Sequence, residues 1–437
     1  MTIEKDVIKL LLEHNVIEIF STLIQMSEDQ RLVEILLGII GNMCSLSDTR
    51  ETLCGQPNVM IPILELISCT DSLILIQLMR LMRACLVFDN SGDEFIWFQH
   101  FRCADQFVER FAFLLTNSMS TTLLLNAYEA LHVIFAKFSV LELGNVDDPN
   151  CFRDVFVKPV LLSSVLEAFK QMLPTMPRLP ATNTNDTIHV SAHTINNQII
   201  IDDDITAPTQ RTQRIMSLFL DINVVFSQYE HISYECYLPV IPNLMECLTK
   251  CLQPLCFVPF LLPLTPHEQV VVESVNELIQ TLGDPFDIRV FRQMIMIWSL
   301  IEKHIEDLSK RQNENGWNDD SDEEISNIDV NITILEYITR TGQKATQEQI
   351  ETSIRPIGQE TIVSLYKALS RGSGEDDIRE CLGKFKEAVQ TIWNMDLPME
   401  ESPFDNDDDD DDDDDDDEED DNDTSKQNSS KEEVIEK

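Results

Sequence analysis

"LVEILLGIIGNMCSLSD", residues 32–48, decides the fold, because its outline returns at residues 73–89 as "LILIQLMRLMRACLVFD". In both stretches Leu, Ile and Met recur every three or four residues and cover more than one helical face, and each ends in a polar turn. A shorter apolar segment precedes each, "VIEIFSTLI" (16–24) before the first and "VMIPILELI" (59–67) before the second. The unit is therefore a short helix, a second helix, a polar loop and a long third helix. A weaker third copy runs "FVERFAFLL" (107–115) and "TTLLLNAYEALHVIFAKF" (121–138). A fourth pairs "PVLLSSVLEAFKQML" (159–173) with "TQRIMSLFLDINVVFSQ" (212–228), and a fifth pairs "PVIPNLMECLTKCL" (239–252) with "EQVVVESVNELIQTL" (268–282). Helix-only periods of roughly 40 to 47 residues are the signature of armadillo or HEAT stacking. Such a unit cannot bury its apolar faces alone, and a neighbour on each side solves that.

Within the opening stretch, Gly38 and Gly41 interrupt an otherwise apolar helix. Glycine costs about 1 kcal/mol against alanine in a helix interior. The expectation is that the long helix crosses its neighbours too closely for a side chain at either position.

Composition narrows the function classes. Net charge is −45, and residues 396–437 alone hold 23 acidic and 3 basic side chains. The remaining chain is still acidic, which opposes non-specific nucleic-acid binding and makes basic proteins the natural partners. The eleven cysteines form no CxxC pair, as expected of reduced, buried thiols in the cytosol or nucleus. The longest apolar run, "PLCFVPFLLPL" (254–264), is too short and proline-broken to span a bilayer. Together these features point to a soluble intracellular protein with no membrane partner.

Domain organisation follows from the same pattern. Residues 1–312 read as the helical repeats, interrupted by a polar, proline-punctuated loop at 175–210 that is expected to be disordered. "NENGWNDDSDEEISNID" (313–329), with seven acidic residues and no basic one, reads as a charged linker. Helices at about 330–340, 347–370 and 375–394 complete the array over 330–395. The tail 396–437, with its eleven-Asp run at 407–417, is expected to be disordered by self-repulsion.

With the units in hand, the chain resembles the serum amyloid A-like (SAAL) family of armadillo-type proteins. The likeness rests on "DVIKLLLEHNVIEIF", "LLGIIGNMC" and the spacing to "LMRLMRACL", then more loosely on "VLEAFKQML" and the helices to about residue 305. The Asn/Thr loop and the poly-Asp tail fall outside the family pattern. The resemblance implies an armadillo-like fold, a nuclear location with the cytoplasm left open, no catalytic activity and a loose association with cell proliferation. It offers no active site to carry over.

Candidate chemistry centres on the third helices, which line the concave face of armadillo proteins. Aligning them places Asn42, Arg83, His132 and Asn223 in one column. Helices packed about 10 Å apart match three residues of an extended peptide at about 3.3 Å each, so a polar column can hold a strand's backbone. The tryptophans that peptide-binding armadillo proteins carry one turn earlier are replaced by Gly38, Met79, Tyr128 and Phe219. Cys236, Cys247, Cys251 and Cys256 cluster in sequence, but without the turn-borne pairs of structural zinc sites they read as buried thiols. "HVSAH" (189–193) reads as a solvated loop. No phosphate-cradle or hydrolase motif is present, so neither catalytic residue, cofactor nor metal is assigned. Ser321 in "DDSDEE" fits an acid-directed kinase, whose phosphate would add charge to the linker.

The expectation is an all-α armadillo/HEAT-like superhelical solenoid with a disordered acidic tail. It would act as a non-catalytic, nuclear scaffold that captures a basic or extended segment of a partner protein. The alternative is an acidic chaperone for histones or other basic proteins, working through the poly-Asp tail.

Overall fold

The structure, a computed structural model, describes residues 5–86, 94–140, 152–173, 194–195, 198–199, 210–229, 235–257, 264–315, 321–371 and 376–397. Nineteen α-helices occupy them. The first unit holds α1 (Lys5–Glu13), α2 (Val16–Met26) and α3 (Gln30–Met43), the second α4 (Ser47–Cys54), α5 (Pro57–Leu64) and α6 (Ser72–Cys85). The third holds α7 (Glu94–Cys103), α8 (Phe107–Asn117) and α9 (Thr121–Phe138), and the fourth α10 (Phe152–Phe156), α11 (Pro159–Met172) and α12 (Gln210–Ser227). Then come α13 (Ile241–Leu252) with α14 (Pro266–Thr281), α15 (Ile288–Asn315) with α16 (Ser321–Lys344), and finally α17 (Gln347–Ile354), α18 (Gln359–Arg371) and α19 (Asp376–Trp393).

The long third helices stack side by side in the order α3, α6, α9, α12, α14, α16, α19. The second helices form another layer, in which α2 packs on α5, α8 on α11, α11 on α13 and α13 on α15. A continuous apolar core runs between the layers from Ile8 to Leu397. This is an all-α solenoid whose neighbouring units supply each other's missing walls.

One local device starts the first three ladder helices. Asp29 accepts from the backbone N–H of Arg31 and Leu32, Asp71 from Leu73 and Ile74, and Ser120 from Leu123. Two residues earlier, Ser27, Cys69 and Ser118 each accept the backbone N–H of the capping residue. The pattern Ser/Cys-x-Asp/Ser thus satisfies helix-start donors that would otherwise lack partners, and it recurs where the repeat demands.

The two ends of the array differ. Ile19, Leu23 and Met26 form an exposed stripe on α2, Met26 at 78% exposure, and Val7, Leu10, Leu32 and Ile35 on α1 and α3 are exposed beside it. The last such apolar side chain along the described residues is Ile332 in α16.

Four expectations need correction. The stretch 313–329 is largely helical: α15 reaches Asn315 and α16 begins at Ser321, nine residues before the predicted start. Three of its seven acids, Asp322, Glu323 and Glu324, fall in the first turn of α16, where the helix dipole favours negative charge. The predicted helix 347–370 is two, split at Gly358, whose φ of +105° suits glycine. Of the loop 175–210, the structure describes an antiparallel pair, Thr194–Ile195 with Gln198–Ile199, and Gln210, which opens α12. The rest of the loop lies outside the described residues, as does the tail beyond Leu397.

The fourth correction concerns the glycines. A Cβ on Gly38 would lie 3.5 Å from Gln77 Oε1, and one on Gly41 3.8 Å from Leu81 Cα. Both are ordinary contacts, so alanine fits at each. Gly41→Ala is therefore expected to raise stability by about 0.5 to 1 kcal/mol through helix propensity, read as a higher urea midpoint with an unchanged slope.

Candidate partner-binding face

The outward side of the third-helix layer is where the predicted column was placed. Asn42 is exposed near the end of α3, and the Sγ atoms of Cys44 and Cys85 sit 3.8 Å apart beneath it, fixing the register of α3 on α6. Arg83 is half-buried and pairs with Glu129 of α9 rather than aligning with His132. His132 lies one turn further along, its Nε2 3.1 Å from Asp221 of α12.

Asn223 does not belong to this face. It is 0% exposed; its Nδ2 donates to Phe219 O at 2.8 Å, and Tyr237 Oη donates to its Oδ1 at 2.9 Å. The column is corrected accordingly: Asn42 and Arg83 continue to Glu129 and Arg214, and the carboxamide at 223 is a core fixture that positions Tyr237. Asn223→Ala should cost about 1 kcal/mol of stability, since it removes the side-chain acceptor of the Tyr237 hydroxyl and leaves it only the backbone carbonyl of residue 223 at 3.1 Å. A lower urea midpoint in circular dichroism reads this cost.

The residues that the sequence reading missed are Glu129, Arg214 and Asp221. Glu129 Oε1 takes Arg214 Nε at 2.5 Å while Oε2 takes Arg83, so one carboxylate at 13% exposure ties α6, α9 and α12 together. Further along, Ser217 Oγ lies 3.2 Å from His267 Nδ1 of α14, and Arg340 of α16 donates to Asn276 Oδ1 of α14 at 2.7 Å. A signal was available: in "TQRIMSLFLDINVVFSQ" the polar residues Arg214, Ser217, Asp221 and Gln228 follow a helical period, and Asn223 breaks it.

Charge is unevenly spread along these helices. Arg80, Arg83, Arg211 and Arg214 lie on α6 and α12, whereas Glu273, Glu277 and Glu336 are exposed on α14 and α16. Ser321 opens α16, and its side chain lies outside the described residues.

The clustered cysteines serve the core. Cys247 Sγ donates to Leu166 O and Cys256 Sγ to Leu252 O. Burial pushes the thiols of Cys247 and Cys381 up to about 12, which keeps them protonated and unreactive at neutral pH. Among the described residues no group of three or more His, Cys, Asp or Glu is placed to hold a metal. Likewise no single helix there is long and apolar enough to cross a membrane. Iodoacetamide should modify Cys103, which is exposed, and Cys69 more slowly, leaving the other described thiols unlabelled until the protein unfolds. Peptide mapping of the native, labelled protein checks this.

No family model matches the chain. A crystal structure of an engineered protein from the Northeast Structural Genomics Consortium aligns over 89% of this chain and 92% of its own, at 13% identity and a TM-score of 0.32. Protein saal1 of Danio rerio is 28% identical over 179 residues, which are 40% of this chain. The match spans 38% of that relative's length. Over this part of its length the chain is similar to a SAAL protein, which agrees with the resemblance noted in its sequence.

Proposed function

We propose that the chain is a non-catalytic scaffold that holds an extended segment of a partner protein along the outward side of its third helices. The observation that carries this reading is the continuity of the layer: α3, α6, α9, α12, α14 and α16 lie adjacent in turn, with polar side chains from neighbouring helices meeting across each gap from α6 to α16. Burial pushes core thiols and phenols such as Cys251, Tyr128 and Tyr237 well above their ordinary range. That is the behaviour of packing residues, and it supports a binding role over catalysis. A nuclear site of action and a link to proliferation are what the family resemblance adds to the proposal.

Proximity labelling in cells, comparing wild type with Asn42→Ala/Leu73→Ala, tests the reading. Both side chains are exposed on this face, so the partner set should shrink while helical content stays constant. An unchanged set would remove the face from the argument. The eleven-Asp run favours a second reading, a chaperone for basic proteins acting through the tail. Deleting residues 400–437 separates the two: the scaffold binds more slowly but still binds, whereas the chaperone loses its partner.

A further inference from the structure

On α6, α9 and α12 the same polar arrangement occurs twice, one helical turn apart. In the first row Arg83 and Arg214 grip the carboxylate of Glu129 from either side. Three residues nearer the N-terminus of each helix stand Arg80, Asn126 and Arg211. Side chains three apart on a helix lie one above the other, so this second row repeats the two arginines and sets an amide where the carboxylate stood. Asn126 Nδ2 turns back to Thr122 O at 2.9 Å, and Arg80 Nη1 donates to Gln77 Oε1 at 3.2 Å. Arg80 and Arg211 are exposed, and neither is ion-paired among the described residues. The first row is satisfied from within the protein, and the second holds two guanidinium groups with no acid paired to them among the described residues.

This concentration of positive charge sits in a chain of net charge −45. Guanidinium forks match carboxylates in geometry as well as in sign, and the row built around Glu129 shows what such a pair takes in this fold. We propose that Arg80, Asn126 and Arg211 form the docking point for a glutamate or aspartate side chain in an acidic, extended segment of the partner. The proposal rests on the scaffold reading of this face and reverses the sign that bulk composition suggests for the partner at this point of the array. An exposed ion pair alone contributes about 0 to 1 kcal/mol, so the row selects an acidic position within a longer contact along the neighbouring helices.

The test is fluorescence anisotropy on the full chain with a Glu-rich peptide, its Gln counterpart and a phosphoserine counterpart. The Glu peptide should bind, lose affinity as salt rises, and bind about tenfold more weakly to Arg80→Ala/Arg211→Ala, with two charge-assisted contacts gone. Asn126→Asp gives the row its own carboxylate, so it should abolish binding while leaving the melting temperature equal or higher. Equal binding by the Gln peptide, or wild-type affinity in both variants, overturns the proposal. Much tighter binding of the phosphoserine peptide reassigns the row to phosphate. Binding that appears only after Asp202, Asp203 and Asp204 are changed to Asn assigns it to the chain's own loop, which equally overturns a partner acid. If the Glu peptide fails while cellular partners still depend on Asn42 and Leu73, the carboxylate assignment falls and the scaffold reading stands; if both fail, the face itself is excluded.

Discussion

Phe135→Ala should lower the unfolding free energy by about 4 kcal/mol, since truncating a buried phenylalanine costs roughly 3 to 5 kcal/mol where the site cannot collapse. Phe135, on α9, is 1% exposed. Its ring lies 4.9 Å from that of Phe226 on α12, 5.0 Å from Phe152 and 6.2 Å from Phe156 on α10, measured between centroids. Phe138, one turn on, touches Phe98 and Phe101 of α7 and Phe156 of α10. The cluster therefore cements the third unit to the fourth, and edge-to-face pairs add to the area that burial removes from water. In a solenoid, stability is close to a sum of unit and interface contributions. Loss of this interface should accordingly broaden the urea transition as well as shift it, because the two halves no longer unfold together. Far-UV circular dichroism against urea reads both effects. A sharp transition displaced by less than about 1 kcal/mol would show that the aromatic cluster does not couple the units.

Gly342→Ala should destabilise by about 2 kcal/mol, the middle of the range for overpacking a filled core. A Cβ there would come within 2.8 Å of Cys381 Sγ and 3.8 Å of Phe291 Cζ. Neither neighbour has room to retreat, as Cys381 is 1% and Phe291 0% exposed. The clash outweighs the gain in helix propensity, which is about 1 kcal/mol at most. Cys381→Ala in the same chain removes the sulfur and should restore more than half of the loss. This coupling is what a double-mutant cycle measures, and strictly additive single effects would refute the packing account.

The contrast between Gly342 and the glycines of the opening stretch shows how far the sequence could be read. The stacked helical units were legible because each leaves apolar faces that only a neighbour can cover, and that requirement is written as a period. Which residue faces a given glycine is not written there. Gly38 meets the end of Gln77 and Gly41 the backbone of Leu81 at ordinary distance, whereas Gly342 meets a sulfur thirty-nine residues away in the next unit. The predicted column failed for a related reason. Sequence alignment kept His132 and Asn223 level with Arg83, but α9 and α12 slide along α6 until Glu129 and Arg214 stand there. The acidic stretch before α16 misled because charge was read as solvation when it also suits the start of a helix. Asn42 is exposed near the end of α3, and the acid-for-amide exchange between Glu129 and Asn126 became visible only once three helices were in register.

The unlike ends of the array bear on how copies can assemble. A greasy front, made by Ile19, Leu23 and Met26, meets no comparable set at the far end of the described residues, where such side chains stop at Ile332. Head-to-tail addition, the route by which modular rods grow into open filaments, needs matching surfaces at opposite poles. Among the described residues that match is missing, so end-to-end stacking through apolar surface is not favoured there.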